Sequence, residues 1–242
     1  MAMIRPLPRK EALELLDLPC LDGAELLEAL RDLERINRLF GGTSLILFHL
    51  SRLVKACRLS GTISILDVGT GGADIPRAIV RWAERRGLRV KITACDHNEQ
   101  ILEVASAFCS GFPQISLVKE DALKLPYPPE HFDFSISSLT LHHLRAEEAV
   151  LLLQKLNELS RLGLIVNDLY RSRLAYLGVF VGTRLFGRNR LIRHDGPLSV
   201  LRAFTVAELR TLAEKAGLPD VKLYRHPFFR VAAVREKVRS EK

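Results

Sequence analysis

Short apolar runs alternate with amphipathic stretches over the middle of this 242-residue chain. Ile63, Ile65, Leu66 and Val68 read as a strand buried on both faces and rich in β-branched residues. Further runs at 90–95, 115–118, 132–138 and 163–167 are separated by helical spacing at 75–86, 98–108 and 146–160. Such alternation predicts a mostly parallel sheet with helices on both faces. Upstream, Glu11–Leu18 suits one or two helical turns stopped at Pro19. Gly23 to Phe40 places Leu26, Leu27, Leu30, Leu33, Ile36 and Phe40 on one side of an amphipathic helix that Gly41-Gly42 ends, and Leu45–Leu59 predicts a second. Downstream, Thr205 as N-cap, Glu208 three residues later and Gly217 at the stop mark a capped helix. Val221–Tyr224 and Phe229–Val234 follow as an antiparallel hairpin at the sheet edge, and the charged tail from Arg235 is expected to fray. Leu125–His131 reads as turn chemistry between strands.

The chemistry begins where the first strand ends. Gly69, Gly71 and Gly72 permit a tight turn in which backbone can approach a ligand, and Pro76 fits the first turn of the helix that follows. Strand, glycine turn and helix open a nucleotide-type α/β site. A phosphate-binding P-loop would need a Lys that is absent here, and a dinucleotide fingerprint would need glycine where Asp74 stands. A carboxylate at a helix N-terminus repels pyrophosphate, which argues against NAD or FAD. The remaining pattern, Asp67-x-Gly69-x-Gly71-x-Ala73, resembles motif I of class I S-adenosylmethionine (SAM) methyltransferases, with Ala73 in place of the third glycine. SAM carries a sulfonium and an ammonium, so acids around the turn suit it.

Other markers follow in the family's order. The second strand ends in Asp96, where the resemblance implies hydrogen bonds to both ribose hydroxyls, with His97 or Asn98 beside the adenine. Asp121-Ala122 ends the third strand, where the family places the acid facing the adenine amino group. Ser137 and Ser138 end the fourth, where these enzymes hold the methionine part of SAM. The cofactor set implied is therefore Asp67, Gly69, Thr70, Gly71, Asp96, His97, Asp121, Ala122, Ser137 and Ser138. Leu141-His142-His143-Leu144 is similar to a segment of the branch that includes ubiquinone and menaquinone biosynthesis methyltransferases. It departs from Asn/Asp-Pro-Pro-Tyr/Phe, the segment of base-N methyltransferases. The resemblance spans roughly residues 60–235. It implies an α/β, Rossmann-like seven-stranded mostly parallel sheet with an N-terminal helical addition (1–60) before the SAM-binding domain (61–242), and a helical lid inserted after strand 5 at about 169–195. The helices of the N-terminal addition are expected over the cofactor mouth. Asn167 to Ser199 also resembles, more loosely, bacterial methyltransferases of polyketide and phenolic-lipid pathways, which suggests secondary metabolism.

Charge narrows the partner. Net charge is +8, which invites nucleic acid. From Leu169 to Arg193, however, six arginines and no acid fringe an apolar segment, interleaved with Leu174, Leu177, Val179, Phe180, Val181, Leu185 and Phe186, rather than an aromatic–basic stacking surface. That segment suits a lid over a lipophilic substrate, or an interfacial helix with peripheral membrane contact through 171–193, and it is too short to span a bilayer. No nucleic acid is expected. Cys20, Cys57, Cys95 and Cys109 show no C-x-x-C pairing, which predicts neither a zinc site nor a disulfide framework. Two adjacent histidines alone do not make a metal site, so none is expected. The first ten residues lack a signal-peptide core, and a reducing cytoplasm is the expected compartment.

Four side chains are candidates for acid–base work on an acceptor: His142, His143, Asp168 at the end of the fifth strand, and His194, where His194-Asp195-Gly196 would close the lid. Asp168 could equally cap the following helix, and His49 reads as a core or surface histidine. The expected activity is in-line methyl transfer from SAM to oxygen or carbon of a small lipophilic or aromatic acceptor. Two alternatives are an RNA-modifying methyltransferase using the basic surface and a non-catalytic SAM-binding partner protein.

Overall fold

The computed structural model describes residues 7–18, 21–59 and 61–237. Expectations on the first six residues, on Pro19 and Cys20, and on the tail beyond 237 lie outside them. Seven strands, β1 (Thr62–Val68), β2 (Arg89–Asp96), β3 (Ile115–Lys119), β4 (Phe132–Ser138), β5 (Ser160–Leu169), β6 (Lys222–His226) and β7 (Arg230–Glu236), form one sheet in the order β3-β2-β1-β4-β5-β7-β6. β1 to β5 pair in parallel, and β7 runs antiparallel to both its neighbours. The expected hairpin therefore lies at the edge, each strand beginning one residue later than the apolar run suggested. Strand order reverses between β1 and β4, and in sheets of this kind ligands bind outside the carboxyl ends at that point.

Alternating strand residues divide the core into two layers. Ile63, Ile65, Ile165 and Val234 face α2 (Gly42–Cys57) and α3 (Asp74–Glu84). Leu66, Val68, Leu164, Val166 and Val231 face α5 (Ala146–Leu159) and α8 (Val206–Lys215), whose Thr205–Glu208 capping box forms as its sequence dictates. α4 (Glu99–Phe108) is capped by Asn98, whose side chain accepts from the N–H groups of Gln100 and Ile101. α1 (Gly23–Leu39) is joined to α2 by Phe40 and Gly41, the latter at φ 79°, so α2 starts at Gly42, ahead of the predicted Leu45. His49 is buried in α2, with its Nε2 2.9 Å from Nε2 of His226.

Two segments depart further from expectation. Glu11–Leu18 forms a single 3-10 turn, Leu15–Asp17, because its backbone is tied elsewhere: Asp195 accepts from the N–H groups of Leu15 and Leu16 at 2.8 and 3.0 Å. After β5 the chain forms two helices, α6 (Arg173–Phe186) and α7 (Arg190–Arg202). His194-Asp195-Gly196, expected to close the lid, lies within α7, and Pro197 follows inside the same helix. Proline there removes one N–H from the helical ladder, and the Arg193 carbonyl it would have served accepts from Arg184 Nη1 at 3.3 Å. Gly196 lets the helices cross closely, since a Cβ there would lie 2.5 Å from Thr183 Cγ2. Among the described residues no helix is long and apolar enough to cross a membrane.

Candidate active site

The carboxyl ends of the strands open into a cavity of about 570 Å³. At one end lies the glycine turn. Gly69 sits at φ 72°, its N–H donating to the Cys95 carbonyl, and a Cβ added there would lie 2.2 Å from Thr140 Oγ1. Gly71, at φ 53°, donates its N–H to Asp96 Oδ2 at 2.9 Å, while Asp96 Oδ1 accepts from the Asn98 N–H at 3.1 Å. Asp96 thus clamps the turn to the end of β2 and still presents its carboxylate to the cavity. Ala73, the residue in place of a third glycine, holds a left-handed φ of 55°.

Three carboxyl groups, those of Asp67 and Asp96 buried and that of Asp74 half-buried, converge on this turn. Asp67, at the end of β1, is 2% exposed, and burial together with Asp74 and Asp96 pushes its pKa up to about 7. Asp74 opens α3 and is likewise raised by burial; its Oδ2 accepts from Asn37 Nδ2 at 3.1 Å. Such a site repels phosphate and favours a cation. Toward solvent, His97, Asp121 and Ala122 line the rim. Asp121 Oδ1 accepts from the Leu123 N–H, which with Lys124 holds its pKa low.

The far end is different in kind. Leu30, Leu33 and Ile36 of α1, Phe40 just after it, Val179 of α6 and Ile192 of α7 supply apolar walls. Against them stand His142 and His143, on a 3-10 turn after β4, and Glu14 and Asp17 from the N-terminal segment. Asp168 Oδ1 lies 2.7 Å from His142 Nδ1, and its Oδ2 accepts from the His142 N–H at 2.9 Å. Burial opposes a charged ring, but Asp168 and Glu14 outweigh it and push the His142 pKa up to about 10. His142 keeps its proton at neutral pH. His143 is arranged otherwise. Its Nδ1 is 3.0 Å from Asp17 Oδ2, and its Nε2 lies 3.8 Å from Glu14 Oε2, beyond a hydrogen bond. Both rings converge with Glu14 within 4.8 Å, a spacing a metal ion could share. Arg202 already brings positive charge there, 3.9 Å from Glu14 and 3.3 Å from Asp17, and protonated His142 adds more. The cluster is therefore neutralised by its own side chains.

The comparisons with known proteins agree with this geometry. Residues 65–163 match the model of a methyltransferase domain family. The structure resembles a SAM-dependent methyltransferase from Aquifex aeolicus (TM-score 0.57, 19% identity, 89% of this chain and 98% of that one). It also resembles human N-acetylserotonin methyltransferase, solved in complex with SAM (TM-score 0.61, 21% identity, 89% and 56%). Residues 65–163 thus match a methyltransferase domain, and the fold is the one these SAM-dependent enzymes share. Over 74 residues the chain is 32% identical to the ubiquinone/menaquinone biosynthesis C-methyltransferase UbiE of Rickettsia bellii, a match spanning 29% of this chain and 30% of the curated relative's length.

SAM is the cofactor expected from the sequence, and the acid-lined turn fits its two cationic groups. Nine of the ten residues expected around it line the cavity; the exception is Ser137. Its hydroxyl donates to the Val68 carbonyl at 3.0 Å inside the sheet, because side chains alternate along β4; Ser138 faces the cavity, its Oγ accepting from Asn167 Nδ2. Of the acid–base candidates, His142 and His143 reach the cavity. Asp168 stands behind His142 and caps no helix; Ser172 is the N-cap of α6. His194 is half exposed on the outside of α7, turned onto Asp195, and takes no part in the lining. Glu14, Asp17, Arg202 and Arg230 were missed. Arg202 gathers the carbonyls of Ala12, His142 and His143, tying the N-terminal segment to the histidine turn. Arg230, buried on β7, donates to the Phe40 carbonyl and to Asn37 Oδ1 beside Asp74, and burial brings its pKa down to about 10. Nothing in their local sequence distinguishes these four, since only the tertiary fold brings Glu14, Asp17 and Arg230 to the cavity and Arg202 against Glu14 and Asp17.

Proposed function

We propose that this protein transfers the SAM methyl group to a hydroxyl or carbon nucleophile of a small lipophilic or aromatic acceptor. The observation that carries this reading is one cavity with two unlike ends: a carboxylate-lined glycine turn, and an apolar chamber with His143 facing into it. SAM supplies an electrophilic methyl on its sulfonium. The chain holds the cofactor through Asp67, Gly71 and Asp96, and aligns the acceptor against α1, α6 and α7. Such positioning contributes ~7–11 kcal/mol in favourable systems. As the new bond to oxygen or carbon forms and the methyl–sulfur bond breaks, the acceptor's proton passes to His143 Nε2. Asp17, on Nδ1, fixes the tautomer that leaves Nε2 open. His142 orients this end rather than accepting the proton.

The N-terminal segment and α1 serve as the acceptor-side cap, whereas α2 belongs to the core of the SAM-binding domain. The free thiols of Cys95 and Cys109 suit a reducing cytoplasm. UbiE is by its name a C-methyltransferase of quinone biosynthesis, which supports testing quinols beside phenols and lipophilic polyketides. The test is methyl transfer from labelled SAM across that panel, wild type against His143→Ala. Transfer to one class, lost in the variant, supports the reading. SAM binding without transfer to any acceptor would favour the non-catalytic partner, and transfer to RNA alone would favour the nucleic-acid reading.

A further inference from the structure

We propose that the outer face of α6 docks onto an anionic lipid bilayer, so that an acceptor reaches the cavity from the membrane. The helix is apolar on both sides. Its inner side gives Gly178, Val179 and Gly182 to the cavity wall, and Gly178 lets the helix rest on the Phe229 ring, which a Cβ would approach to 2.3 Å. On its outer side Leu174, Leu177 and Leu185 are 67%, 58% and 72% exposed, with Val181 between them. Large apolar side chains at this helical spacing, open to solvent, mark an interaction surface. Phe186 continues the patch onto Phe40, which in turn stacks edge-on against exposed Phe228 at the cavity mouth.

Charge selects the occupant. Arg173, Arg184, Arg188 and Arg193 are exposed around this face, and Leu169 to Arg193 contains no acid. Arg190 is turned onto Glu25. Arg184 lies over the Phe180 ring at 4.0 Å, a pairing suited to a headgroup boundary. An apolar stripe fringed by arginine matches acyl chains beneath anionic headgroups. A second copy docked face to face would set that arginine fringe against itself. Nucleic acid would leave the leucines uncovered.

The test is co-sedimentation of the full chain with vesicles of phosphatidylcholine alone, and of phosphatidylcholine containing roughly a third phosphatidylglycerol. The wild type should pellet with the anionic vesicles, less so as salt rises, and Leu177→Ser/Leu185→Ser should reduce the partition at least about tenfold. SAM titration of the same samples separates this surface from the catalytic reading, because neither leucine lines the cavity. No pelleting with anionic vesicles, equal pelleting with neutral ones, or concentration-dependent self-association abolished by the double variant would each overturn the proposal.

Discussion

Replacing Asp67 by Asn tests the electrostatic logic of the cofactor end. In the folded protein the Asp67 pKa stands near 7 against an ordinary 3.8, because burial beside Asp74 and Asp96 disfavours the carboxylate. The folded state therefore binds the proton more tightly than the unfolded chain. From pH ~4 to pH ~7 the unfolded chain ionises first, and stability falls as pH rises. About three pKa units at ~1.4 kcal/mol each put the cost of the buried charge on the order of 4 kcal/mol above pH 7. Asn resembles the neutral acid, so Asp67→Asn should stabilise by about 1–2 kcal/mol at pH 5 and by about 4 kcal/mol at pH 8. Urea unfolding of both proteins at the two pH values measures this. The cationic cofactor should reverse the sign. Wild-type affinity for SAM should rise between pH 6 and pH 8, whereas the variant should bind weakly with little pH dependence. A variant no more stable at pH 8 than at pH 5, or an affinity for SAM unmoved by the substitution, would refute the reasoning.

Three further outcomes follow from the same geometry. Gly69→Ala combines a left-handed φ with a Cβ driven onto Thr140, so it should cost at least ~1–2 kcal/mol and abolish SAM binding by calorimetry; wild-type affinity would contradict that packing. His142→Ala strips Asp168 of its buried partner and should destabilise by about 3–5 kcal/mol, whereas His143→Ala should fold normally and lose ~10²–10⁴ in kcat at saturating SAM. The His49 pKa is depressed to about 4 by burial and by His226, so the unfolded chain takes up that proton first as pH falls; Tm should drop on acidification from pH 6.5 toward 4, less steeply in His49→Phe.

The cofactor end was legible because backbone geometry writes it into residue type. Gly69 and Gly71 occupy left-handed positions that favour glycine, and each acid falls where a parallel strand ends. Even there Ala73 shows the limit, since its φ of 55° is a glycine-like conformation carried by alanine. The acceptor end was legible only in half. The adjacent histidines stand out in sequence, but Asp17 and Glu14 come from a segment more than a hundred residues away, and their local pattern reads simply as an amphipathic turn. His194 was misplaced for the opposite reason. His-Asp-Gly-Pro is strong loop chemistry, overridden here because Asp195 is needed as a buried cap for Leu15 and Leu16 and Arg184 satisfies the carbonyl that Pro197 leaves open. Ser137 failed on the period-2 alternation of a strand, where a shift of one residue exchanges cavity for sheet.

Calorimetric titration of the purified chain with SAM and with S-adenosylhomocysteine, NADH serving as control, is the most direct measurement. One-to-one binding of the two sulfur nucleosides, with no heat from NADH, is the result expected of a carboxylate-lined glycine turn. A well-folded protein that binds neither, or that binds NADH instead, would contradict the assignment of this cavity to methyl transfer.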